Sequence, residues 1–309
     1  MTATWLNINR NGRLGNRLFS RAHVYAAAIE HGATVVDWGL SDVARHFPRI
    51  ANPSLPVYPL RADGSPPARP DRLWLSKPAI AAWRAIRPRR TGHVGPFWSS
   101  YWGGNDPDLM RLDGAPFAEF VRGREMIILD GYKLRCTPWV VKHADSIRQY
   151  FAVSDSIQTK WTKLQDIWHG RWRKTVGVHM RGGDFSTAQG GRYHLSAAEY
   201  AGLLGNHPGL PADDTLFVLF SEDRYAGAAA FARLTSAFSG LNHIFLHGDL
   251  VDDLAGLASC DLVIGPATST FSRWASFAGN RPWAGVDRTL LDRKGPALDF
   301  RDGLVPWDY

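Results

Sequence analysis

The chain has 309 residues, 45% hydrophobic and 21% charged, which fits a folded domain and excludes a disordered or membrane-spanning chain as the expectation. A net charge of +7 suits an anionic ligand, an anionic membrane surface or nucleic acid. No recognisable nucleic-acid motif accompanies that charge, so no nucleic-acid partner is expected. Two cysteines, Cys136 and Cys260, are too few for a disulfide framework or a four-ligand zinc site and read as buried thiols in a reducing compartment.

The first residues, Met1 to Trp5, carry neither a basic stretch nor an apolar core, so no secretion signal is read and a cytoplasmic location is expected. Trp5 to Ile8 reads as a buried strand, followed by the loop Asn9 to Gly15. Asn16 or Ser20 is expected to cap a helix running to about His31, with Leu18, Ala22, Tyr25, Ala26 and Ile29 on one face. Gly32 stops that helix, and Ala33 to Asp37 reads as a second strand, completing a βαβ unit and implying a parallel sheet. From Asp42 to Gly123 twelve prolines break regular structure, and short helices and long loops are expected. Met126 to Asp130 reads as a strand, Val140 to Phe151 and Ser154 to Trp168 as helices.

The second half alternates more regularly. Strands are expected at Thr175 to Met180, Leu216 to Phe220, His243 to Leu246, Leu262 to Gly265 and Trp283 to Gly285. Helices are expected from Ser196, with Glu199 completing a capping box, from Arg224 to Phe238, from Asp252 to Ala258, and from Thr270 to Phe277. The domain crossover falls between Phe151 and Lys174, giving domains of 1–160 and 161–309.

Three segments carry candidate chemistry. Between the first strand and helix, Asn11-Gly12-Arg13-Leu14-Gly15-Asn16 lets backbone N–H groups converge at a helix N-terminus, which favours a phosphate; it also reads as an ordinary turn. His179-Met180-Arg181-Gly182-Gly183-Asp184 ends an apolar strand at the carboxyl edge of a parallel sheet, where α/β proteins bind ligands. There Arg181 offers a planar fork matched to phosphate oxygens. The bland alternative is a strand end with an Arg181–Asp184 ion pair and a core histidine. The third segment is Asp253 followed by Pro266 to Arg273, a hydroxyl-rich turn leading into a helix. Asp253 could accept two hydrogen bonds from a guanine edge or serve as a helix N-terminal charge, and Ser269 or Thr270 could be plain caps.

Together these segments resemble the three ordered motifs of the α-1,2-fucosyltransferases, glycosyltransferase family 11, within the α-1,2/α-1,6/protein-O-fucosyltransferase superfamily. The resemblance rests on Gly12 to Phe19, His179 to Phe185 and Ser269 to Trp274, with further similarity at Ile147 to Phe151, Glu199-Tyr200 and Phe220 to Asp223. It implies an α/β GT-B fold, two Rossmann-like domains facing a central cleft, with the acceptor on the N-terminal side and GDP-β-L-fucose on the C-terminal one. It implies inverting transfer of fucose to a glycan hydroxyl, α-1,2 to galactose, without a metal or other cofactor. Another GDP-sugar, an α-1,6 linkage, or a non-catalytic glycan- or nucleotide-binding relative are the alternatives. By the resemblance Gly12, Arg13, Gly15 and Asn16 face the diphosphate, Arg181 holds the β-phosphate, His179 lies beside the nucleotide, Asp253 reads guanine, and Ser269, Thr270 and Ser272 form the phosphate-side turn. Asp184 and His194 are the candidate general bases. The chain departs from the pattern at Gly182, where an Arg is usual, at Arg17, where Gln or Met is usual, and at Arg273, where Trp is usual.

Asp106-Pro107-Asp108 matches an Asp-x-Asp metal motif but lacks a preceding apolar strand and is discounted. Arg84, Arg87, Arg89 and Arg90 form a basic cluster that reads as a solvated face or as a peripheral contact with the inner face of a membrane, beside a lipid-linked acceptor.

Overall fold

A computed structural model describes residues 3–7, 9, 12–37, 39–40, 42–50, 91–94, 110–129, 131, 133–182, 186–221, 228–246, 248–291 and 298–302. Asp184, Glu222-Asp223, the Arg84–Arg90 cluster and Asp106-Pro107-Asp108 lie outside the described residues. The chain divides into two compact units between Ser154 and Asp155.

Unit 1 begins with β1 (Thr4–Asn7), α1 (Leu14–Glu30) and β2 (Thr34–Asp37). After β3 (Thr91–Val94) and β4 (Met110–Arg111) come α2 (Ala115–Val121), β5 (Met126–Leu129), β6 (Leu134–Arg135), α3 (Thr137–Lys142) and α4 (Ala144–Tyr150). Four strands form a parallel sheet in the order β2-β1-β5-β3, and β4 pairs with β6 in a separate parallel ladder. Leu14, Leu18, Ala22 and Ala26 recur every four residues and bury one stripe of α1. The helix begins earlier than expected. Arg13 is its N-cap without a side-chain cap, and the Arg17 N–H bonds to the Arg13 carbonyl at 3.1 Å, so Asn16 and Ser20 lie inside the helix. Gly12, at φ 85°, makes the turn in front of it, and a Cβ there would come within 2.8 Å of the Asn16 Cβ. The single helix expected over 140–151 is two, because the chain leaves helical geometry at His143 (φ −107°, ψ 20°).

A buried ion pair fastens α1 to the sheet. Arg21 Nε lies 2.6 Å from Asp37 Oδ2, and both side chains are buried. The same guanidinium donates from Nη2 to the Asn9 carbonyl at 2.5 Å. One helical turn earlier Arg17 donates to both carboxylate oxygens of Asp42 and to the Gly39 carbonyl. These two arginines thereby join the exits of β1 and β2 to the first turns of α1.

Unit 2 runs α5 (Asp155–His169), β7 (Lys174–Met180), α6 (Ala197–Gly205), β8 (Thr215–Ser221), α7 (Ala228–Ala237), β9 (His243–Phe245), α8 (Leu250–Ser259), β10 (Leu262–Pro266), α9 (Thr270–Gly279) and β11 (Trp283–Val286). All five strands are parallel, in the order β11-β10-β7-β8-β9. The chain therefore builds outward from β7 to β9, crosses back, and builds outward the other way through β10 and β11. This is the order of a Rossmann-like sheet, and its direction reverses between β7 and β10. Strands β7 and β8 are buried almost throughout, as a central parallel strand requires. Val176, Val178, Phe217, Leu219 and Ile264 pack with Tyr200, Leu204 and Phe238 in one core. The returning helix α8 packs closely: a Cβ on Gly256 would fall 2.4 Å from the Trp161 ring. Cys136 and Cys260 are both free and buried, and burial raises both thiol pKa values. Among the described residues no helix is long and apolar enough to cross a membrane.

Candidate nucleotide site in unit 2

In a parallel sheet every βα connection leaves from the carboxyl edge, and adjacent connections diverge where the winding direction reverses. In unit 2 that place lies between the exits of β7 and β10. His179 and Arg181 stand at the first exit, and Pro266 to Ser272 at the second. Two of the three segments singled out from the sequence therefore meet at one crevice. Asp253 starts from the same edge, in the first turn of α8, the helix that follows β9.

Contacts between the two exits are direct. His179 is buried, and its Nδ1 lies 3.2 Å from the Ser269 hydroxyl. Its ring meets Phe271 at 5.0 Å between centroids, and its carbonyl accepts from the Tyr200 hydroxyl at 3.3 Å. Burial drives the Tyr200 pKa upward, which keeps that hydroxyl protonated as a donor. His179 thus braces the end of β7 against the turn after β10.

That turn is formed by its own hydroxyls. Ser269 caps α9 by accepting from the Ser272 N–H, and the Ser272 hydroxyl donates to the Ser269 carbonyl, both at 3.4 Å. Ser269 and Ser272 are fully buried, whereas Thr270, the first helical residue, is partly exposed. Gly265 makes the packing possible. A Cβ there would lie 2.3 Å from the Ser272 Oγ and 3.4 Å from the His179 Cβ. Sequence reasoning passed over Gly265, although a glycine just before Pro266 and the hydroxyl run was the available signal. Arg273 reaches back from α9 to the Ala267 carbonyl at 2.7 Å and lies over the Trp283 ring at 4.6 Å. Arg273 thereby holds the turn from behind.

Arg181 follows the last residue of β7 and is partly buried. Its carbonyl is 3.4 Å from His194 Nδ1. A carbonyl only accepts, so in that contact Nδ1 carries the proton and the neutral ring keeps its lone pair on Nε2. Gly182 is buried. Asp249 caps α8 through the Val251 and Asp252 N–H groups, so the helix starts two residues earlier than expected and Asp253 sits inside its first turn, partly buried. Gly12, Arg13, Gly15 and Asn16 belong to unit 1, at the start of α1; Gly12 and Arg13 are exposed, Gly15 is buried and Asn16 partly so.

The crevice has the equipment for an anion attached to a group that donates hydrogen bonds. It offers the N-terminus of a ten-residue helix, a guanidinium at the neighbouring strand exit, and a carboxylate on the next crossover. Among the described residues no group of three or more His, Cys, Asp and Glu side chains is placed to hold a metal ion.

No family model and no curated protein matches the chain. Solved structures do. A mutant of FUT1 from Arabidopsis thaliana, in complex with GDP, is similar at a TM-score of 0.54 and 13% identity, over 92% of this chain and 70% of that one. Fucosyltransferase NodZ from Bradyrhizobium is similar at 0.53 and 15%, over 98% of this chain and 100% of that one. NodZ α-1,6-fucosyltransferase soaked with GDP-fucose gives 0.52 and 15%, over 97% and 99%. The chain has the α/β fold of these proteins, built on parallel sheets.

Proposed function

We propose that the chain is a fucosyltransferase that moves L-fucose from GDP-β-L-fucose to a glycan hydroxyl with inversion. The observation that carries this reading is the crevice between β7 and β10, where Arg181, His179 and the N-terminus of α9 share the reversal point of a Rossmann-like sheet. The fold likeness to fucosyltransferases bound to GDP or GDP-fucose supports the choice of donor.

On this reading the bond from the fucose anomeric carbon to the β-phosphate oxygen breaks, and its electron pair leaves with GDP. Arg181, the Thr270 hydroxyl and the positive end of α9 offset the charge that builds on that phosphate, so no metal is required. Preorganised donors of this kind are commonly worth about 3 kcal/mol each. Ser269, Ser272 and His179 keep the turn in shape. Asp253 accepts from the guanine edge. The acceptor hydroxyl attacks the opposite face of the sugar and passes its proton to His194 through Nε2. The loop Gly12 to Asn16, at the N-terminus of α1, is the second place proposed to bind phosphate.

An α-1,2 linkage to galactose follows from the motif resemblance. The end-to-end likeness to NodZ favours α-1,6 as the second reading. The test is a thermal-shift panel of GDP, UDP, ADP and CMP, followed by GDP-fucose with galactose- and N-acetylglucosamine-terminated acceptors. Stabilisation by GDP alone, then product with one acceptor class, is the expected result. Equal response to all four nucleotides, or to none, contradicts it.

A further inference from the structure

His194 lies between β7 and α6, where the described residues hold one 3₁₀ turn, Ala188–Gly191, whose last carbonyl accepts from the His194 N–H at 3.0 Å. That turn contains two glycines in the left-handed region, Gly190 at φ 67° and Gly191 at φ 74°. The end of the segment is also gripped from elsewhere. Arg288 opens a short 3₁₀ turn after β11. Its backbone N–H donates to the Arg192 carbonyl at 2.9 Å, and its Nη1 donates to the His194 carbonyl at 3.4 Å. Its Nη2 lies 3.1 Å from Glu199 Oε1. Glu199 is itself fixed, because its other oxygen accepts from the Ser196 N–H in the capping box. Burial alone would raise the Glu199 pKa; the Ser196 bonds and the Arg288 guanidinium outweigh that and hold it below the ordinary glutamate value. The partner of Arg288 therefore stays charged.

We propose that Arg288 is a positioning residue for His194. Its side chain holds the His194 carbonyl, its backbone N–H holds Arg192 whatever residue stands there, and the Arg181 carbonyl meets the ring, so the imidazole keeps one orientation and one tautomer only while the guanidinium is in place. The proposal rests on the reading of His194 as the proton acceptor of glycosyl transfer. A second consequence is geometric: the exit of β11 sets the geometry at the exit of β7, two strands away in the sheet. The Arg288 side chain is 51% exposed and its Glu199 partner 26%. Ion pairs this exposed contribute little to stability, so a merely structural role predicts almost no effect on removal.

The experiment compares the full chain with R288A, R288K, H194N and H194N/R288A. R288A is expected to keep the wild-type thermal midpoint, GDP affinity and KM for GDP-fucose, while kcat falls about tenfold or more. R288K recovers part of the loss, and the double variant is no slower than H194N. Nitrogen NMR of the His194 ring shows the Nδ1–H tautomer in wild type and a mixture in R288A. Wild-type kcat in R288A, or a multiplicative loss in the double variant, overturns the proposal. The two ideas separate cleanly. GDP-fucose turnover with an unchanged tautomer in R288A removes the positioning role and leaves the reaction. An Arg288-dependent tautomer in a chain that turns over no GDP-fucose removes the reaction and leaves the positioning role.

Discussion

Replacing Arg181 with alanine removes a fixed positive charge from the exit of β7 and leaves the buried strand Val176 to Met180 intact. Arg181→Ala is expected to cost about 3 kcal/mol of transition-state stabilisation, a loss of more than a hundredfold in kcat/KM. The thermal midpoint should stay close to wild type. Near-normal turnover in that variant would remove Arg181 from the phosphate. The neighbouring residues show how far single positions can be read from sequence. His179, Arg181 and Ser269 stood out because they follow apolar runs where a strand must end. Gly265 and Arg288 did not. The first matters for a side chain it excludes, which the glycine before Pro266 only hints at, and the second acts from a 3₁₀ turn with no periodic pattern, so the tertiary contacts show what each does.

Among the elements, α1 is held by charge as well as by packing. Arg21→Ala leaves the Asp37 carboxylate buried without its guanidinium, and such losses typically cost about 3–5 kcal/mol. Replacing both partners with apolar residues, Arg21→Met with Asp37→Leu, removes the charge that would be stranded and is expected to recover most of that loss. Urea unfolding of the two variants beside the wild type checks it; equal destabilisation of the single and double variants would show that the pair is not the fastening. The strands of unit 2 were legible because β8 and β10 carry apolar runs that begin soon after Asp214 and Asp261, and β7 carries Val176 to Val178 at its centre. The start of α1 was misjudged because Asn16 and Ser20 are favoured caps by type. The chain turns at Gly12 instead, and the helix begins with an Arg cap that no propensity would select. Strands β3 and β4 lie in or beside the proline-rich stretch, where residue patterns of two to four positions carry no readable period.

At the scale of the whole molecule, stability should depend on pH through one buried and one partly buried histidine. His23 Nδ1 accepts from the Cys136 N–H, and burial, then Arg135 and Arg111, hold its pKa well below 6.5. Burial lowers His31 as well. Below pH 6.5 the unfolded chain takes up protons that the folded chain refuses, so stability is highest above that value and falls as pH drops beneath it. The slope is at most about 1.4 kcal/mol per pH unit for each histidine. Asp37, whose carboxyl burial raises, opposes this just above pH 3.8. Thermal midpoints from pH 5 to 8 check the sign, and a midpoint that rises on acidification from 6.5 contradicts it. The parallel α/β character was legible from alternating strand and helix patterns, but the strand order was not, because no local pattern says that β10 returns beside β7. That return creates the crevice on which the functional reading depends. Hydrogen–deuterium exchange of the full chain with and without GDP tests it most directly. The account predicts GDP-dependent protection of the amides at 179–182 and 267–273; GDP binding that leaves both segments unprotected would contradict it.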